Sequence, residues 1–84
     1  MKNSYTCLTY LLNLWREGNR FTIFYDGNHC WSEEFDLGNC ERSDNFDTIE
    51  NYHNKKTIIK IFNLNETDQK TLTEYFEFRE LKNQ

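Results

Sequence analysis

The chain has 84 residues, a formal net charge of −4 and a mean hydropathy of −0.93. That length allows one domain and is too short for two. Aromatic residues make up 17% of the chain, and because each buried ring removes roughly 150–250 Å² from water, a disordered chain is not expected. No apolar run approaches the roughly 20 residues of a membrane helix. We therefore expect a single domain over residues 1–84 with no membrane partner.

Three cysteines, Cys7, Cys30 and Cys40, cannot all pair within one chain. The odd number argues against the disulfide framework of a small secreted domain. We expect reduced thiols and a cytoplasmic protein.

The first predicted element is a helix over about Tyr5 to Glu17. Ser4 can cap its N-terminus, and Gly18 supplies a C-terminal stop. Its apolar residues recur at the spacing of one helical face; they are Leu8, Leu11, Leu12 and Trp15.

A β-hairpin is predicted next. Residues 20–25 are rich in aromatic and β-branched side chains and end at Asp26-Gly27, a strong hairpin signal. The return strand is predicted over His29–Phe35. Its register has two alternatives: a two-residue turn places Ile23 opposite Cys30, and a three-residue turn places Ile23 opposite Trp31.

The second half of the chain is predicted to begin with a polar stretch over 39–54, either loop or one short helix. Thr57–Phe62 is rich in isoleucine, which predicts a buried strand at the centre of the sheet. Asn65 and Asp68 resemble a helix-entry cap, and a helix is predicted after them. The alternation within Tyr75–Leu81 also suits an edge strand, although helix is favoured.

Together these elements predict an α+β fold, in which two helices pack on one face of a small three-stranded antiparallel sheet. Such a sheet has two open edges, so a homodimer through strand pairing is an alternative to a monomer. The predicted core consists of Leu8, Leu11, Leu12, Trp15, Phe21, Ile23, Ile59, Ile61, Leu72, Tyr75 and Phe76.

Charge is unevenly distributed along the chain. Residues 26–50 carry eight acids and one base, a net charge of −7, and the remainder sums to +3. Such a segment can steer association with a basic partner, or it can be an ordinary solvated loop. Because aromatic residues lie among the acids, we predict a partner-binding surface. It consists of Trp31, Glu33, Glu34, Asp36, Glu41, Asp44, Phe46 and Asp47.

The sequence gives little indication of catalysis or cofactor binding. His29, Cys30, Cys40 and His53 are residue types that bind zinc, but the two thiols are ten positions apart, and the spacing of close ligand pairs is missing. No phosphate-binding glycine motif occurs. We expect neither an enzyme nor a cofactor.

Direct binding to nucleic acid is also not expected. Lys55, Lys56 and Lys60 form the one basic patch with aromatic neighbours, and several bases on one face are needed to neutralise phosphates.

In size and charge the chain is similar to small acidic anti-defence proteins of phages, such as anti-CRISPR or DNA-mimic inhibitors. That resemblance implies a protein-binding inhibitor that occupies a basic surface of a nucleic-acid enzyme. One alternative is an accessory or regulatory module that binds its partner through exposed aromatic residues. A further alternative is a small ligand- or metal-binding domain using His29, Cys30, Cys40 or His53.

Overall fold

A computed structural model describes residues 4–34 and 44–82, with side chains over 8–34 and 44–81. Within these ranges the fold is α+β, as predicted, with a three-stranded antiparallel sheet and four helices. In chain order the elements are α1 (Ser4–Arg16), β1 (Phe24–Tyr25), β2 (Cys30–Trp31), β3 (Asp47–Thr48), α2 (Ile49–Tyr52), α3 (Lys55–Phe62) and α4 (Glu66–Lys82).

Helix α1 confirms the first predicted element to within one residue at each end. Gly18 follows it with a φ of 111°, a backbone conformation that glycine adopts without steric cost. The four predicted apolar residues of this helix are 0–1% exposed. Their stripe anchors α1 to the rest of the core.

The sheet order is β2-β1-β3, and both outer strands run antiparallel to β1. Phe24 lies opposite Trp31 on one side and Thr48 on the other. Both predicted hairpin registers are therefore wrong, because Ile23 is opposite neither Cys30 nor Trp31.

The cause lies in the turn. Asp26 pairs with His29, so Gly27 and Asn28 are the two central residues. The Asp26 carboxylate accepts hydrogen bonds from the backbone N–H of Asn28 (2.8 Å) and of His29 (2.6 Å). Gly27 has a φ of 92°, and a glycine with positive φ at the first central position is typical of a type II′ hairpin turn.

The predicted central strand over Thr57–Phe62 is wrong, because these residues belong to α3. The Asn54 side chain caps this helix by accepting a hydrogen bond from the Thr57 N–H (2.8 Å). Ile58 and Phe62, four residues apart, are the buried pair. The apolar residues of α3 thus recur at helical spacing on the side that contacts the core. This packing outweighs the preference of isoleucine for strands.

The third strand is instead β3, within the stretch predicted to be loop or short helix, and α2 follows it directly. Helix α4 confirms the second predicted helix. The Asn65 side chain caps it by accepting from the Asp68 N–H (2.8 Å). The segment Tyr75–Leu81 is helical and is not an edge strand.

The core lies between the sheet and the helices. Eight of the predicted core residues are buried, whereas Ile59, Ile61 and Phe76 are only partly buried at its margin. Trp15 of α1 meets Tyr75 of α4 edge to face at 5.8 Å between ring centroids. None of the helices in the described ranges combines the length and apolar character needed to cross a membrane.

Candidate protein-binding surface

The two faces of the sheet carry different side chains. Residues paired across strands share a face, and successive residues alternate between faces. Ile23, Tyr25 and Cys30 lie on the inner face, where each is at most 3% exposed within the core cluster. The strand pairing places Phe24 and Trp31 on the opposite face.

We call this opposite side the outer face and define it by Phe24, Trp31 and Phe46. The rings of Phe24 and Trp31 stack at 6.1 Å with 27° between their planes. Phe46 stands nearly perpendicular to both, at 5.6 Å from Phe24 and 5.2 Å from Trp31. The three rings form one cluster.

The three rings differ in access to solvent. Phe46 is 47% exposed, whereas Trp31 is only 4% exposed and Phe24 is intermediate. Trp31, predicted to touch a partner, therefore supports the ring of Phe46 and offers little surface of its own. Phe46 is the ring that a partner can reach.

Four exposed acids lie close in sequence to the outer strands of this sheet. Glu33 and Glu34 follow β2, and Asp44 and Asp47 lie at the start of β3. Because β2 and β3 both run antiparallel to β1, β2 ends at the opposite end of the sheet from the start of β3. The acids therefore lie at both ends of the strands.

Two of these carboxylates are held by local hydrogen bonds. Glu34 Oε1 accepts from the Ser32 hydroxyl at 2.9 Å. Asp47 Oδ1 accepts from the Thr48 N–H at 2.8 Å and from the Asn51 amide at 3.4 Å. The pairing of Asp47 with Tyr25 places its side chain on the inner side of the sheet and not beside Phe46. The predicted residues Asp36 and Glu41 lie outside the described residues.

Not all acids of residues 26–50, the segment with a net charge of −7, face solvent. The Asp26 side chain is 4% exposed because it accepts hydrogen bonds within the turn. Glu50 is directed inward, and its side chain is 10% exposed. Both carboxylates serve the fold, so the charge available to a partner is smaller than the sequence suggests.

Glu50 belongs to a buried polar network that the sequence did not predict. Tyr75 Oη donates to Glu50 Oε1 (2.6 Å) and accepts from the Ile23 N–H (3.0 Å). Arg79 donates to Glu50 Oε2 (2.6 Å) and to the Thr22 hydroxyl (2.8 Å). Burial, followed by the hydrogen bond to Glu50, raises the pKa of Tyr75 far above its ordinary range. The network joins α2 and α4 to the chain entering β1.

The alternative ligand residues do not form one site in the part of the chain that the structure describes. Cys30 is 0% exposed in the core, and His53 contacts the rings of Tyr25 and Tyr52. Among the described residues, no three His, Cys, Asp or Glu side chains converge as a metal site would require. Cys40 lies outside those residues.

The predicted basic patch lies on α3 and not on a strand. An open groove of about 450 Å³ runs between α3 and α4. Lys55 lines it and donates to the Thr73 hydroxyl at 3.2 Å, and Lys70 and Glu66 also line it. Charges of both signs therefore border this groove.

Neither a family model, a curated protein nor a solved structure matches this chain. The geometry of the described residues is therefore the basis for a functional proposal.

Proposed function

We propose that this protein is a non-catalytic inhibitor that binds a basic surface of a nucleic-acid enzyme in the cytoplasm. This is the mode of action of small acidic anti-defence proteins of phages and mobile elements. The observation that carries the proposal is Phe46, a residue that is 47% exposed and packs on a supporting aromatic cluster, with exposed carboxylates on the adjoining segments.

Each half of this surface contributes a different part of binding. Enzymes that hold nucleic acid present Lys and Arg to the phosphates, so exposed carboxylates are electrostatically complementary to them and increase the rate of association. An exposed aromatic ring that becomes desolvated contributes affinity as a central anchor. The proposal therefore predicts binding that depends on both salt and Phe46.

The first experiment captures partners from a bacterial lysate with tagged protein, at low and high salt, and identifies them by mass spectrometry. The captured enzyme is then purified, and its affinity and inhibition are measured with two charge-reversal variants. The test variant replaces Glu33, Glu34, Asp44 and Asp47 by Lys. The matched control replaces four exposed acids of α4 by Lys; these are Glu66, Glu74, Glu77 and Glu80.

We expect the test variant to lose binding and inhibition at physiological salt, and the α4 control to retain both. Equal losses in the two variants would mean that only net charge matters, which contradicts a defined surface. If binding survives both reversals and high salt but disappears in Phe46→Ala, the aromatic residues act alone. That result favours an accessory interaction module over the inhibitor.

Phe46→Ala has its own matched control. Tyr10 on α1 is 49% exposed, so Tyr10→Ala removes a ring of similar accessibility from a different part of the molecule. Only the Phe46 variant is expected to weaken the captured complex.

A further inference from the structure

We draw no further inference here: the strongest candidate, the open groove between α3 and α4 lined by Lys55, Ile59, Glu66 and Lys70, is bordered by charges of both signs, and nothing in the described part of the chain shows what covers it.

Discussion

The inner and outer faces of the same small sheet differ in the interactions that their side chains make. The inner face is closed by apolar packing, and the polar network of Glu50, Tyr75 and Arg79 holds the backbone beside it. The outer face has three aromatic residues, of which Phe46 is 47% exposed, and exposed acids lie in the segments after β2 and at the start of β3. Burial on the inner side provides the stability that lets the outer side keep an exposed aromatic residue.

The largest expected effect comes from truncating the inner face. Ile23 is 0% exposed, so Ile23→Ala should lower the free energy of unfolding by about 3 kcal/mol through lost contacts and a cavity. Phe46→Ala on the outer face should lower it by only about 1 kcal/mol, because Phe46 is already 47% exposed. Urea unfolding followed by circular dichroism measures both. Similar losses would mean that Phe46 is a structural residue.

The next effect concerns the buried network. Glu50→Ala removes the acceptor for both Tyr75 and Arg79 and should cost about 2 kcal/mol, since hydrogen bonds to charged groups exceed neutral ones. Glu77, an exposed acid on α4, provides the control, and Glu77→Ala should leave the unfolding midpoint nearly unchanged. If Glu50→Ala and Glu77→Ala shift the urea midpoint equally, the hydrogen bonds of Glu50 add nothing to stability beyond the effect of removing one negative charge.

The raised pKa of Tyr75 predicts a specific dependence on pH. Above about pH 10 the unfolded chain releases this phenolic proton while the folded protein keeps it, so folding loses stability with rising pH. Below that pH this contribution is fully present. Tyr75→Phe should cost about 1 kcal/mol at neutral pH because the Ile23 N–H loses its acceptor. The difference between wild type and variant should shrink between pH 10 and 11; a constant difference would contradict the raised pKa.

The last effect concerns the turn between the strands. An alanine at Gly27 would have to keep a φ of 92°, and its Cβ would lie 2.5 Å from the Tyr52 hydroxyl. Gly27→Ala should cost about 1 kcal/mol from the backbone alone, with a further loss from the contact. Comparing it in wild type and in Tyr52→Phe by thermal unfolding separates the two parts. If Gly27→Ala lowers stability equally in the wild type and in Tyr52→Phe, the Tyr52 hydroxyl moves away from the new Cβ without an energetic cost.

The sequence predicted the helices whose signals are local. Ser4, Gly18 and an apolar stripe mark α1, and Asn65 marks the start of α4, as its hydrogen bond to the Asp68 N–H confirms. The same signal existed for α3. Asn54 occupies the capping position of that helix, and its isoleucines recur at a spacing that fits a helix as well as a strand. The isoleucine-rich composition predicts a strand, and the Asn54 cap is the signal that indicates the helix.

The sheet was harder to predict because its strands have two residues each. A strand that short shows no alternation, so β3 has no recognisable pattern. The hairpin register depended on whether Asp26 is a central turn residue or precedes the turn, and its side-chain hydrogen bonds decide this.

Of the predicted surface residues, Trp31 and Phe46 are in contact, whereas the described acids lie at both ends of the strands. Phe46 and Trp31 are both aromatic residues in an acidic segment, yet strand pairing and ring packing bury one and expose the other. Glu50 likewise looks like another surface acid until Tyr75 and Arg79 are placed beside it. Those contacts join residues far apart in the chain.

That long separation bears on how the protein is made. Trp15 packs on Tyr75, and the Ile23 N–H donates to the same tyrosine, 52 positions further along the chain. Closing so large a loop has an entropic cost that is recovered only when α4 docks. On the ribosome, the hairpin and α1 therefore have no completed core to join until α4 has been synthesised, and in that interval chaperones have access to the aromatic side chains.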